Sequence, residues 1–192
     1  TNDPILHRGG WGHLLGDEGS GYDIARHGLR AAVRGLDESG PATMLSGEML
    51  SFCGVTDPES CIGVFYNPDM PRHVAAKFAQ NVSKCAESGD RIAEKILLKC
   101  AESFAETAKA LLCALPDAAR LGLWGGVMQK CPAFRNHFQQ AVARAFPRLH
   151  IGLLPAPPEV GALFAAFSSS GQNLTESQKK KIIAQMPEWE LK

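Results

Sequence analysis

The residues best suited to chemistry form one dense segment near the start of the chain. It combines glycines, a tryptophan and two adjacent carboxylates in the order Gly9-Gly10-Trp11-Gly12-His13-Leu14-Leu15-Gly16-Asp17-Glu18-Gly19-Ser20-Gly21. Glycines let a ligand approach the backbone closely. A carboxylate accepts hydrogen bonds from two neighbouring hydroxyl groups, and an indole ring covers an apolar C–H face. The segment therefore indicates a site for a polyhydroxylated ligand such as a sugar.

A purely structural interpretation of the same residues is equally consistent with their spacing. In that interpretation, Asp17, Glu18 and Ser20 accept hydrogen bonds from free N–H groups at a helix start. Trp11 would then belong to the hydrophobic core. The spacing alone leaves both interpretations open.

A second candidate segment is a short apolar run that ends in two glycines, Leu121-Gly122-Leu123-Trp124-Gly125-Gly126-Val127. Because Gly125 and Gly126 have no Cβ atoms, a flat ligand can lie against the backbone there. The start of the following helix would offer further N–H groups. Turn chemistry alone favours a plain tight turn at this point.

The first segment resembles the sugar-binding motif of N-acetylglucosamine kinases, members of the BadF/BadG/BcrA/BcrD ATPase family. That family also contains bacterial glucosamine kinases and the ATPases that activate benzoyl-CoA reductase. The resemblance implies that Gly10, Trp11 and Gly12 line an N-acetylhexosamine site. It also implies that Asp17 binds sugar hydroxyls, whereas Glu18 serves either the sugar or the helix N-terminus.

The second segment resembles the adenosine motif of the actin, hexokinase and heat-shock ATPase superfamily. This resemblance implies that Gly125 and Gly126 approach the adenosine half of ATP. It places Ala76, on the helix that begins near residue 71, as a further nucleotide contact. The implied fold is a helix-rich α/β lobe, the C-terminal lobe of an actin-like ATPase with a ribonuclease H-like fold.

The implied activity is ATP-dependent phosphorylation of the 6-hydroxyl of N-acetylglucosamine, with ATP and Mg²⁺ as cofactors. In the family, the phosphate loops and the catalytic aspartate precede the G-G-W-G segment, and no such sequence occurs here. We therefore expect a fragment without the catalytic base, in which the missing part binds most of the Mg²⁺. The implied partners are N-acetylglucosamine or a related hexosamine and the N-terminal lobe of the same enzyme, and a homodimer is an allowed assembly.

Three alternatives remain open at this point. The first is a kinase for glucosamine or another hexose, and the second is an ATPase-type activator of the same family. The activator branch carries cysteines for an iron–sulfur cluster, whereas the cysteines here are scattered. The third alternative is a lobe that binds a partner without catalysis.

Composition excludes several other classes of function. Twenty basic and twenty acidic residues cancel, so no long-range field attracts nucleic acid or an anionic membrane. The chain has no apolar stretch of membrane-spanning length. Six cysteines without a C-x-x-C pair, of which Cys85, Cys100 and Cys113 fit buried helix faces, indicate a soluble cytoplasmic protein. The six histidines show no metal-ligand spacing with Cys, Asp or Glu, so we expect no metal site.

Hydrophobic periodicity and capping residues predict the elements that must position these segments. We expect helices over residues 22–35, 44–52, 58–65, 71–87, 90–115, 160–167 and 175–186, and strands over residues 120–124 and 149–154. Another helix follows the glycine pair, with Pro132 in its first turn and a buried stripe of Phe134, Phe138, Val142 and Phe146.

The alternation of strand and helix after residue 119 predicts parallel strands packed against helices. The chain is expected to form a single lobe with four consecutive parts. These parts are the sugar-binding loop and helix start, a helical part, a nucleotide-side part and a C-terminal tail, over residues 1–21, 22–116, 117–170 and 171–192.

Overall fold

A computed structural model describes residues 6–185 of the chain. Within these residues the fold is helix-rich α/β, as predicted. The elements are α1 (Gly21–Leu36), α2 (Leu45–Cys53), α3 (Ser60–Phe65), α4 (Arg72–Ala76), α5 (Ala79–Glu87), α6 (Arg91–Cys113), β1 (Arg120–Leu123), α7 (Gly126–Lys130), α8 (Pro132–Ala145), β2 (His150–Leu153), α9 (Pro158–Ser169) and α10 (Glu176–Ala184). Residue 186, where the predicted tail helix ends, lies outside the described residues. No described helix has both the length and the apolar character needed to cross a bilayer.

Two side chains define the starts of the long helices α1 and α6. Ser20 Oγ accepts the Asp23 N–H at 3.0 Å, and Asp90 Oδ1 accepts two N–H groups of the first turn of α6 at 2.8 and 3.1 Å. The other Asp90 oxygen accepts hydrogen bonds from Thr43 and Met44, which joins α6 to the start of α2. Burial alone would raise the Asp90 pKa, but these hydrogen bonds lower it below its ordinary value.

The hydrophobic core is built mainly where α6 packs against α8 and α5. Phe134, Phe138 and Val142 of α8 are buried, as their spacing predicts. The Phe138 ring lies 5.2 Å from that of Phe104 on α6, centroid to centroid. Phe146 caps the end of α8 and is only half-buried, so the predicted stripe is one residue shorter than expected.

The single helix predicted over residues 71–87 is wrong in its continuity. Lys77 and Phe78 separate α4 from α5, and their N–H groups bond at 3.0 Å to carbonyls three residues back. This tighter turn accompanies the complete burial of Phe78, which packs beside Gly28 of α1. A uniform helical period cannot reveal such a turn, because the core contact that accompanies it comes from another helix.

Two smaller expectations also need correction. The short helix α7 stands between the glycine pair and Pro132, so α8 does not follow the turn directly. Cys85 and Cys100 are buried as predicted, but Cys113 is exposed. Leu112 occupies the buried face of α6, and the next residue is rotated from it by about 100° around the helix axis.

The two strands form a parallel pair, as the alternation of elements predicts. The register pairs Arg120 with His150 and Leu123 with Leu153, and the intervening chain contains α7 and α8. The pair ends where the Leu154 N–H bonds to the Leu123 carbonyl at 2.9 Å. The glycine pair therefore follows β1 at the carboxyl end of the sheet, where ligands bind in many α/β folds.

Candidate functional site

The glycine-rich segment forms an irregular loop rather than a helix, as predicted. The φ angles of Gly9, Gly10 and Gly12 are +76°, +71° and +85°, values that residues with a Cβ rarely adopt. The Gly12 carbonyl accepts the N–H groups of Leu15 and Gly16 at 3.2 and 2.9 Å. These bonds close a tight turn from Gly12 to Gly16 in the middle of the motif.

Trp11 lies on this loop with 72% of its surface exposed. The interpretation that places Trp11 in the core is therefore wrong, and the ring is accessible to a ligand. The neighbouring His13 positions the loop: its Nδ1 lies 2.6 Å from Arg72 Nη1, and its ring meets Tyr22 edge-on at 5.8 Å. His13 thus links the loop to α4 and α1.

Two glycines allow the loop to lie directly on the helices behind it. A Cβ at Gly9 would be 2.9 Å from the Thr107 side chain of α6. A Cβ at Gly19 would be 2.7 Å from Phe104 Cβ and 3.0 Å from the Phe134 ring. These contacts are closer than packed carbon atoms tolerate, so the absence of a side chain is what brings the loop against α6 and α8.

Asp17 does not cap α1. Ser20 alone of the three predicted acceptors caps that helix, and Asp17 Oδ2 instead accepts the Ser20 hydroxyl at 2.8 Å. The Gly19 N–H donates to Asp23 Oδ2 at 3.1 Å. The purely structural interpretation, in which Asp17 and Glu18 cap α1, is therefore wrong. Asp17 Oδ1 accepts no hydrogen bond from the described residues, which leaves it available to a ligand.

A single cavity of about 360 Å³ joins the two candidate segments. Its wall includes Gly10 and Asp17 from the first segment and Gly125 and Gly126 from the second. Trp11 and Gly12 belong to the same loop but do not line this cavity. Larger concavities border α1 elsewhere, but neither contains residues of both segments. The fold thus unites two motifs that are far apart in the chain.

The second segment contributes an open backbone surface to the cavity. Gly125 has φ +112° and ψ 160°, a conformation that residues with a side chain avoid. A Cβ at Gly125 or Gly126 would meet no atom within 4 Å. The space beside these two residues therefore fits a flat group against the backbone. Because α7 is only five residues long, its N-terminus adds little to this surface.

Ala76 lies at the margin of the same region. It is the last residue of α4, and its carbonyl oxygen would be 3.6 Å from a Cβ on Gly21. Val127 Cγ2 would be 3.9 Å from that point, and both Gly21 and Val127 line the cavity. Ala76 itself does not line it.

Sequence reasoning missed several residues of the cavity wall. Arg8, Phe104, Thr107 and Trp124 all line it. Arg8 directly precedes the glycines, and its position in the motif was a usable signal. Phe104 and Thr107 lie within the apolar period of α6, where nothing distinguishes a residue at the cavity from one in the core.

Comparison with known proteins identifies relatives for most of the chain. Residues 6–168 match the model of the BadF/BadG/BcrA/BcrD ATPase family. The chain is 29% identical over 163 residues to the N-acetylmuramic acid/N-acetylglucosamine kinase of Clostridium acetobutylicum. This match covers 83% of this chain and 53% of the kinase. It is 29% identical over 168 residues to the N-acetyl-D-glucosamine kinase of Dictyostelium discoideum, with 84% and 52% covered.

A solved structure shows the same fold. The solved protein comes from Chromobacterium violaceum, and its proposed identity is N-acetylglucosamine kinase. It matches with a TM-score of 0.58 and 26% sequence identity, and the match covers 75% of this chain and 46% of the solved chain. The chain spans about half the length of the curated relatives it matches. These matches confirm the resemblance and the fold class predicted from the sequence.

Proposed function

This chain belongs to the BadF/BadG/BcrA/BcrD ATPase family, and we propose that it forms the C-terminal lobe of a cytoplasmic kinase that phosphorylates the 6-hydroxyl of N-acetylglucosamine. The observation that carries the proposal is the cavity lined by both Asp17 and the pair Gly125 and Gly126. A phosphotransferase must hold its acceptor and its nucleotide side by side. The names of the relatives, which act on amino sugars, support the acceptor class.

The loop supplies the sugar side of the proposed site. Asp17 Oδ2 is oriented by the Ser20 hydroxyl, so Oδ1 accepts hydrogen bonds from sugar hydroxyls. Gly10 lines the cavity and has no side chain, so its backbone can approach the sugar. Gly12 and Trp11 do not line the cavity, so their contacts with the sugar stay predictions, in which the exposed Trp11 ring would cover the apolar C–H face of the sugar or its acetyl group.

The glycine pair supplies the nucleotide side. The open backbone at Gly125 and Gly126 accommodates the adenosine half of ATP, with Ala76 at the margin. ATP provides the γ-phosphoryl group, and Mg²⁺ neutralises the charge on its oxygens. Among the described residues that line the cavity, the only carboxylates are Asp17 and Glu18. Because Asp17 is assigned to the sugar hydroxyls, and because the family resemblance implies a catalytic aspartate and phosphate loops before the G-G-W-G segment, we assign the base and most of the Mg²⁺ binding to the N-terminal lobe.

N-acetylmuramic acid is a second candidate substrate. The Clostridium relative is named for both sugars, and Arg8 lines the cavity beside Gly9 and Gly10. N-acetylmuramic acid carries a lactyl carboxylate, and a guanidinium group binds a carboxylate through two parallel hydrogen bonds. Phosphorylation of both sugars, with loss of only the N-acetylmuramic acid activity in Arg8→Gln, would establish this dual specificity.

The proposed function is tested by sugar-dependent ADP release in the complete enzyme that contains this chain. Asp17→Asn should lower kcat/KM for N-acetylglucosamine by about 100-fold, because a hydrogen bond to a charged group contributes about 1.5–3 kcal/mol. Asparagine retains an oxygen for the Ser20 bond, so the loop should keep its shape. Asp117→Asn, an exposed carboxylate outside the cavity, is the matched control and should leave the kinetics unchanged.

The same assay separates the alternatives. ADP release that is faster with glucosamine than with N-acetylglucosamine would show that glucosamine is the preferred acceptor. Release that needs no sugar would indicate an ATPase-type activator, and no release with any sugar would indicate a binding lobe. Equal kinetics for Asp17→Asn and the wild type would remove Asp17 from the sugar site.

A further inference from the structure

A cluster of three side chains of types that can bind a metal ion lies behind the glycine-rich loop of residues 9–19. Asp23 and His27 are one turn apart on α1, and Cys100 approaches them from the middle of α6. The ligand atoms of these three residues all lie within 4.8 Å of one another. None of the three lines the cavity that joins the two glycine segments. Sequence spacing does not reveal this cluster, because Cys100 comes from a distant helix, and the expectation that no metal site occurs stays untested.

The three side chains differ in exposure in a way that suits an ion entering from solvent. The Asp23 side chain is 12% exposed and Cys100 is 3% exposed, so both are held within the structure. His27, at 46% exposed, lies nearest the surface, with its Nε2 3.5 Å from Asp23 Oδ1. A concavity of about 600 Å³ is lined by all three residues and provides the path for an ion.

The Asp23 carboxylate is already oriented by two other groups. The Gly19 N–H donates to Oδ2 at 3.1 Å, and Arg26 Nη2 donates to Oδ1 at 2.9 Å. Carboxylates and imidazoles that bind metals are commonly held by such outer hydrogen bonds. Each carboxylate oxygen has two lone-pair positions, so Oδ1 can bind a metal while it accepts the hydrogen bond from Arg26.

The charges around the concavity limit which ion would bind. Arg26, Arg34, Lys95 and Lys99 line it and repel cations, and Glu18 attracts them. A hard ion such as Mg²⁺ or Ca²⁺ requires several oxygen ligands, and such a set is absent among the residues that line the concavity. A thiolate with an imidazole instead suits zinc, and the thiolate adds negative charge to that of the Asp23 carboxylate, which also pairs with Arg26.

We propose that Asp23, His27 and Cys100 bind Zn²⁺, with water as the fourth ligand. Upon coordination the Cys100 thiol releases its proton to solvent, so the sulfur binds as a thiolate. The ion would join α1 to α6 directly behind Gly19, the residue through which the glycine-rich loop packs on α6. It would therefore stabilise the base of the loop without touching the sugar.

The first test replaces zinc with Co²⁺, whose spectrum reports its ligands, in the full chain. We expect a thiolate-to-cobalt charge-transfer band that is lost in Cys100→Ser and retained in Cys113→Ser. Cys113 is the matched control because it is the exposed cysteine on the same helix. Absence of the band in the wild type, or its loss in Cys113→Ser alone, would overturn the proposal.

The second test avoids the buried cysteine, since its replacement risks misfolding. Zn²⁺ at a hundredfold excess over its dissociation constant should raise the melting temperature of the wild type by roughly 5 °C. His27→Gln should abolish this shift, while His150→Gln, an exposed histidine outside the cluster, should preserve it. An equal shift in both variants would show that the ion binds elsewhere. Neither test measures kinase activity, so failure here leaves the proposed function intact.

Discussion

Two glycine-rich turns border the same cavity, the first within residues 9–21 and the second at Gly125 and Gly126. They contain glycine for different reasons. In the first turn, a Cβ on Gly9 or Gly19 would come within 2.9 or 2.7 Å of side-chain atoms of α6. In the second turn, a Cβ on Gly125 or Gly126 would meet nothing within 4 Å. The first turn therefore needs glycine in order to pack against helices, whereas the second leaves space that a ligand can fill. A glycine motif in the sequence does not distinguish these two cases.

The largest effect is expected for Gly19→Ala. The added methyl would overlap Phe104 and Phe134 in a left-handed conformation, so the free energy of unfolding should fall by about 3 kcal/mol. Gly12→Ala is the matched control, because Gly12 has φ +85° but open space around it, and should cost about 1 kcal/mol. Chemical denaturation measures both. Equal losses would mean that residue 19 needs glycine for its backbone conformation and not for packing.

An intermediate effect is expected for Gly125→Ala. Its φ of +112° with ψ of 160° lies in a region used almost only by glycine, so the substitution should cost about 2 kcal/mol in unfolding free energy. Gly54→Ala is the comparison, because Gly54 adopts the milder left-handed conformation at the end of α2, also in open space. A smaller loss at residue 125 than at residue 54 would contradict the backbone argument.

The smallest effect on stability is expected for Gly126→Ala. This residue is the first of α7 and has open space around it, so unfolding free energy should change by less than about 0.5 kcal/mol. If Gly126 borders the nucleotide as proposed, the methyl should weaken ATP binding by the complete protein about tenfold, which corresponds to about 1.4 kcal/mol.

Calorimetric titration with ATP provides the measurement. Gly63→Ala, an equally open glycine in α3 outside the cavity, should leave ATP affinity unchanged. Unaltered ATP binding in Gly126→Ala would show that the space at the second turn does not hold the nucleotide.

Most helices were predictable because their signals are local. Ser20, Asp90 and Thr175 cap helix starts within three residues of the N–H groups they bind, and Pro116 follows the last turn of α6. The buried stripe of α8 follows from spacing alone. Such interactions depend on residues that are neighbours in the chain, so the sequence contains the needed information.

Errors occurred where a distant contact changed a local preference. The turn at Phe78 accompanies core packing beside Gly28 of α1, which residues 71–87 alone do not show. The error at Asp17 was local instead: the Ser20 hydroxyl oxygen accepts the Asp23 N–H, and the same hydroxyl donates a hydrogen bond to Asp17. Asp17 and Ser20 were both possible caps of α1, and local spacing did not show which of them accepts the N–H group.

By itself, the sequence determined the family, the helix-rich α/β class, the parallel strand pair and the loop character of the glycine motif. Each depends on residue types at short spacings, which periodicity and resemblance express directly. Only the tertiary structure decided that Asp17 shares a cavity with Gly125, that Trp11 is exposed, and that Cys100 meets Asp23. Those outcomes depend on how α1, α6 and α8 pack around one another, and that packing brings together residues that no local pattern connects.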